Sequence, residues 1–266
     1  MIVSTPDRNG LACSPENNTT SLTTTSEDSD FPIENMLDLH PKKVYKAVNG
    51  VSEVTLTGEI REGSSTLCIF NTNATQATIK IVDFAYGEWF DGNEWFDGNE
   101  WFPVEIVYVP GDIFETGENN AMGLRFDPIE YHKYFEVLLS SPAGTTLNVG
   151  IFHTGVLVQT NNPLEGLNET QTDHSIKKVL SNGATYYKKR DIIRNFSFGI
   201  AEKFPEHTDN FIIDVSRKFG KKPMPWFITN IEDNRWLIFG KLDNLISASY
   251  KLCDNAELQF NIKEVL

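Results

Sequence analysis

Apolar and polar residues alternate with period two through much of this chain. Residues 51–60 set the pattern: Val54, Leu56 and Ile60 fall on one side of an extended strand, with Thr55, Thr57 and Glu59 on the other. Residues 65–71, 77–84, 104–109, 134–139 and 147–152 are further runs of strand-forming residues bounded by Gly, Pro or Asn. Short strands at this spacing predict a β-sandwich or jelly roll in the first half. A second set, residues 226–229, 235–241, 248–252 and 257–265, predicts a barrel or sandwich in the second half. One segment breaks the alternation. Phe211, Ile212, Val215 and Phe219 stand at helical spacing, with Thr208 or Asp209 as the cap and Gly220 past the end. Pro223 and Pro225 then forbid continuation. The expected fold is mainly β: two β-sandwich or barrel domains, the second with one amphipathic helix.

The boundaries come from composition. Residues 1–30 are rich in Ser, Thr and Asn, and Ser21 to Asp30 contain one Leu among small and acidic residues. Such a segment lacks the apolar surface to offset its ordering entropy. It is expected to be an extended arm, ordered only against a neighbour. Residues 31–157 form the first expected domain and 158–266 the second, with the Asn, Pro and Gly residues of 161–168 as the link.

Charge narrows the partners. The chain has 266 residues and a formal net charge of −14. Nucleic acid and anionic membrane surfaces demand clustered Lys and Arg, so neither is an expected partner. The local exception is Lys188-Lys189-Arg190 with Arg194 nearby, read as a solvated strand end or a subunit contact. Cys13, Cys68 and Cys253 are far apart and form no metal-ligand pair; Cys68 and Cys253 sit in apolar runs and read as core thiols. Pro6, Asp7 and Arg8 interrupt the start before any apolar leader forms, and no apolar stretch approaches the length of a membrane span. Folding in a reducing cytoplasm is expected, with no membrane insertion.

No catalytic constellation emerges. Asp173, His174 and Ser175 are sequence neighbours, which is not how a triad is built, and no nucleophile elbow exists. No phosphate-binding glycine loop and no metal-ligand spacing occurs. Neither an enzyme activity nor a cofactor is expected. The unusual segment is a tandem repeat, in which Glu88 to Asn93 recur as Glu94 to Asn99 and then as Glu100-Trp101-Phe102. Trp89, Trp95 and Trp101 would share one face of an extended chain, and Phe90, Phe96 and Phe102 the other. Four readings are open: a duplicated loop, a protein contact, an aromatic platform for a glycan, or oxygen ligands for Ca²⁺ from Asp91, Asn93, Asp97 and Asn99.

Two stretches carry a family resemblance. Phe31 to Asp38, leading to Lys43-Val44-Tyr45-Lys46-Ala47, resembles the opening of discoidin-like (F5/8 type C) jelly rolls, with Tyr45 and Ala47 where those have Trp and Ser. Residues 67–73, 78–81, 134–139 and 149–152 are similar to later strands of the phage version of that domain. The run from Thr172 through Tyr186, Arg190 and Arg194, then Pro223 to Phe227, Trp236 to Leu242 and Phe260 to Val265, resembles the second domain of tailed-phage tail-tip (distal-tail-like) baseplate proteins. The resemblance implies a structural virion subunit, made in the bacterial host cytoplasm and residing at the tail tip. It would assemble as a ring or other homo-oligomer with other tail proteins. The alternative is a carbohydrate-binding host-adhesion module that touches surface glycan. Candidate contacts are Trp89, Phe90, Trp95, Phe96, Trp101 and Phe102 of the repeat, with Tyr186, Tyr187, Arg190 and Arg194.

Overall fold

A computed structural model of the protein describes residues 10–83, 104–106, 120–129, 133–159, 166–181, 183–203, 211–228, 236–252 and 255–265. The chain is mainly β, as the alternation predicts. It opens with β1 (Gly10–Cys13) and continues through β2 (Thr19–Thr24), a 3₁₀ turn (Ile33–Leu37), β3 (Tyr45–Lys46), β4 (Glu53–Ile60), β5 (Thr66–Thr72) and β6 (Gln76–Asp83). Then come β7 (Val104–Ile106), β8 (Ala121–Arg125), β9 (Lys133–Ser140), β10 (Asn148–Gly155) and β11 (Leu157–Gln159). The second half holds β12 (Asn168–Asp173), β13 (Ile176–Val179), β14 (Thr185–Lys188), β15 (Ile192–Lys203) and a π-type helix (Phe211–Phe219). It ends with β16 (Met224–Phe227), β17 (Leu237–Leu242), β18 (Ser247–Leu252) and β19 (Asn255–Glu264).

Strands β2 to β10 form a two-layered sandwich. One sheet runs β2-β4-β9-β6-β7 and the other β3-β10-β5-β8. β4 shows why: Val54, Leu56, Gly58 and Ile60 point inward and the residues between them outward. β5 does not alternate, because both its faces are covered. Leu67 and Ile69 join the sandwich core, whereas Cys68 and Phe70 face a second cluster with Phe227, Leu237 and Phe239. That second cluster joins the sandwich to the rest of the molecule.

The other sheet runs β11-β1-β16-β17-β19-β15-β12. β19 is its hinge. β15 flanks it from Asn255 to Lys263, while its other side meets β18 first and β17 last. The sheet therefore folds over a core of Phe196, Phe198, Trp226, Leu258, Phe260 and Ile262. Phe198 stacks on Phe260 across the register, with centroids 5.3 Å apart. The helix adds Val215 and Phe219 to this core and leaves Arg217 and Lys218 exposed. Its end is where the sequence places it: Gly220 takes φ +61, and its N–H donates to the Ser216 carbonyl at 3.1 Å. Thr208 and Asp209, the expected caps, lie outside the described residues, as does the 161–165 part of the link.

The N-terminal segment corrects an expectation. It is extended, but from Gly10 onward it is ordered on its own chain. β1 pairs with β11 and β16, and β2 pairs with β4 as the edge of the sandwich. Between them, Asn17 Nδ2 donates to the Phe152 carbonyl at 2.7 Å and Asn18 Nδ2 to Ser64 Oγ at 2.9 Å. Polarity is misleading here because an edge strand needs backbone partners and β-branched residues more than apolar area; Thr23 and Thr57 pair hydroxyl to hydroxyl at 2.7 Å. Since β1 and β11 are neighbours, the sandwich is inserted between two paired strands of the large sheet, not strung before it.

Gly123 sits where the two parts meet. A Cβ there would fall 2.6 Å from Leu237 Cδ2 and 3.0 Å from Phe227 Cε1. Gly123→Val is expected to lower unfolding free energy by about 1–3 kcal/mol, as overpacking of a close contact does. A urea titration that shows no shift in midpoint would mean that the junction is not tightly closed.

Candidate functional site

The sequence neighbours Asp173, His174 and Ser175 form a turn. Ser175 N–H donates to Asp173 Oδ1 at 2.7 Å, and Arg190 N–H donates to Ser175 Oγ at 3.0 Å. The Ser175 hydroxyl and amide hold the Asp173 carboxyl below its usual range. This turn carries the chain from β12, the edge of the large sheet, into β13 and β14.

Among the described residues β13 and β14 pair only with each other. All eight of their residues are exposed. One face carries Ile176, Lys178, Tyr186 and Lys188, and the other Lys177, Val179, Thr185 and Tyr187. Val179, Tyr186 and Tyr187 are each at least half exposed. At the tip, Gly183 adopts φ +81 and its N–H donates to the Leu180 carbonyl at 2.9 Å. A two-stranded ribbon that buries neither face is marginally stable by itself.

Arg194 departs from the expected contact surface. It is buried, and its Nη2 lies 2.7 Å from Glu264 Oε1, with Nε and the backbone N–H each 3.2 Å from Glu264 Oε2. Its guanidinium also lies 5.5 Å from the Phe196 ring centroid. Arg194 thus ties β15 to β19 within the chain. The sequence signal, a basic residue two positions from a Phe, gave no hint of a carboxylate seventy residues away.

Arg190 is exposed and lines a cleft of about 610 Å³ at the hairpin root, with Lys42, Lys188, Lys189 and Lys263. Asp191 is the one carboxylate lining it. Among the described residues none of these five cations forms an ion pair. Sequence reasoning found Lys188-Lys189-Arg190 but missed Lys42 and Lys263, which arrive from the sandwich and from β19. Trp89, Phe90, Trp95, Phe96, Trp101 and Phe102 all lie outside the described residues, between strands β6 and β7.

Two buried groups are chemically quiet. Cys13 and Cys68 are unpaired and fully buried, and burial pushes the Cys68 thiol well above its ordinary range, away from thiolate chemistry. Cys253 is outside the described residues. His153 stands opposite Cys68 in the β5–β10 register and is also fully buried. Neither ring nitrogen has a hydrogen-bond partner. The backbone of Ser14 and Pro15 lies close enough to favour a charged ring slightly, yet burial dominates and lowers the pKa to about 4. Among the described residues no group of three or more His, Cys, Asp or Glu could hold a metal ion. No described helix is long and apolar enough to cross a membrane.

No family model matches the chain, and no curated protein matches it. Solved structures do. A chitosan-binding module 1 from a chitosanase/glucanase of Paenibacillus sp. IK-5 is 14% identical, covering 53% of this chain and 97% of that one, with a TM-score of 0.36. The module CpGH89CBM32-6 of Clostridium perfringens is 14% identical over 52% of this chain and 92% of that one, with a TM-score of 0.32. A reduced XRCC1 bound to a DNA polymerase β catalytic domain is 14% identical over 53% and 99%, with a TM-score of 0.38. None of the three is a phage tail protein, and none is similar enough to carry a function across. The tail-tip resemblance therefore rests on sequence motifs alone.

Proposed function

We propose that this protein is a non-enzymatic structural subunit that acts by docking, and that its hairpin engages copies of itself and other proteins of a tail-tip assembly. The observation that supports this is the ribbon of β13 and β14, which among the described residues pairs with no other strand and exposes all eight of its residues, Tyr186 and Tyr187 included. Ordering it costs entropy that its own chain does not offset. A partner surface offsets that cost by burying Tyr186 and Tyr187, the residue type that most often anchors an interface. The open edges of the ribbon also offer backbone groups for strand addition.

Sedimentation velocity of the full chain tests this. Wild type is expected to associate with rising concentration, and a Tyr186→Ser/Tyr187→Ser variant to stay at the mass of one chain with an unchanged melting temperature. Arg190→Glu is expected to weaken association while leaving the monomer folded. Wild type that sediments as one chain at every concentration would remove self-association from the proposal.

Carbohydrate recognition is the second reading. The observation that favours it is the cleft at the hairpin root, which is concave and has the volume of a small-ligand site. The strand leading into it displays Tyr186 and Tyr187, whose rings can stack on sugar faces. One of the neighbours above binds chitosan by its own description. The cleft alone supports a carbohydrate ligand here, since its basic lining does not suit a cationic sugar such as chitosan.

A further inference from the structure

We infer that the cleft at the hairpin root binds the anionic groups of an acidic oligosaccharide. This rests on the carbohydrate reading and fixes the ligand's chemistry. The chain contains 37 Asp and Glu against 23 Lys and Arg, so a concavity lined mainly by cations runs against its overall charge. Lys42, Lys188, Lys189, Arg190 and Lys263 gather around one concavity whose lining holds a single carboxylate, Asp191; the Asp173 carboxylate outside the lining feels the charge of Lys189, and no ion pair to the five forms among the described residues. Like charges held together repel, and they are stabilised by an anion that enters between them. A concave site concentrates that potential beyond what a flat patch does.

The walls come from three places: Lys42 from the loop before β3, Lys188 to Arg190 from the end of β14, and Lys263 from β19. Distance between these elements is set by the two cores and not by the hairpin alone. Ammonium groups act as point charges for carboxylate, sulfate or phosphate oxygens, and Arg190 adds a planar fork for two oxygens at once. A nucleic acid duplex fits poorly, because a phosphate track needs an extended basic stripe and meets a chain of charge −14.

Isothermal titration calorimetry on the full chain tests the inference with four probes: N,N',N''-triacetylchitotriose as the neutral sugar, trigalacturonate, a heparin-derived tetrasaccharide and inorganic phosphate. The expected result is binding of at least one acidic oligosaccharide, roughly tenfold or more tighter than the neutral N-acetylated trisaccharide, and weakening as salt rises. A Lys42→Glu/Lys263→Glu variant, which leaves the hairpin intact, is expected to lose at least about tenfold in affinity. A Lys222→Glu variant outside the cleft is expected to bind as wild type. Preference between trigalacturonate and the heparin fragment identifies carboxylate or sulfate as the recognised group. Equal affinity for neutral and acidic sugars would overturn this inference and leave carbohydrate recognition standing. Absence of binding to every oligosaccharide would overturn both. Phosphate binding as tightly as the oligosaccharides, or a Lys42→Glu/Lys263→Glu variant as tight as wild type, would overturn the assignment to this cleft.

Discussion

Replacing Glu264 with Ala is expected to cost about 3–5 kcal/mol of unfolding free energy. The guanidinium of Arg194 is buried, and Glu264 is the carboxylate that meets its Nε, its Nη2 and its backbone N–H. Removing that carboxylate leaves a charge out of water with its main counter-charge gone, and the penalty is the desolvation that the pair otherwise offsets. The intact pair is not itself a large source of stability, since its own attraction is largely spent against the same desolvation. Exchanging both partners together, as Arg194→Met with Glu264→Leu, is therefore expected to recover most of the loss. Urea titrations of the single and double variants separate the two cases. A single-variant loss below about 1 kcal/mol, the range of an exposed pair, would show that water reaches the site. The position matters for function as well as stability. Arg194 is the third residue of β15, where the chain re-enters the sheet after the hairpin, so the pair fixes the base from which the ribbon projects.

Stability is expected to fall by about 3 kcal/mol between pH 6.5 and pH 4 through His153 alone, from a pKa drop of that span at about 1.4 kcal/mol for each unit. The folded ring resists protonation down to about 4 because it is buried, with neither nitrogen hydrogen-bonded. The unfolded ring takes up its proton near 6.5, the ordinary value. The contribution is fully present above the unfolded pKa, declines as pH falls, and is lost once pH passes through the folded pKa. Carboxylates titrate in part of the same range, so the measurement is the difference between wild type and His153→Phe across that window. The variant is expected to show a flatter pH profile. Parallel profiles would mean that the folded ring finds a proton partner after all. His153 shares its register position with Cys68, at the seam between sandwich and large sheet, so acid is expected to loosen that seam first.

The runs marked in the sequence fall on β4 to β7, β9, β10 and β16 to β19, because a face turned to a core and a face turned to water imprint different residues; β11 to β15, with the hairpin and the long Ile192–Lys203 strand, lie outside those runs. The helix could be read from Phe211, Val215 and Phe219 and from the glycine and prolines that end it. What escaped had physical reasons. Ala121–Arg125 is short and carries Gly123, whose missing side chain makes room for Leu237 and Phe227; close packing removed the very signal that marks a strand. Thr19–Thr24 is an edge strand held largely by backbone and hydroxyl pairing, with Leu22 its one apolar contact to the core, too little to mark a strand by alternation. The insertion of the sandwich between β1 and β11 is a matter of long-range pairing, to which local pattern is blind. The candidate site divides the same way. Tyr186, Tyr187 and Arg190 were visible as an unusual local run. Lys42 and Lys263 joined them only through folding, and Arg194 left them for Glu264 because alternation on β15 turns it inward with Phe196 and Phe198.

The central claim is that the hairpin is a docking surface. The most direct measurement places a photo-crosslinking amino acid at Tyr187 in the cells that produce this protein, and identifies the adducts by mass spectrometry. Covalent capture of a second copy or of another structural protein is expected through position 187, and none through a matched probe at exposed Thr57 on the sandwich. Equal labelling at both positions, or no protein adduct at 187, would contradict it.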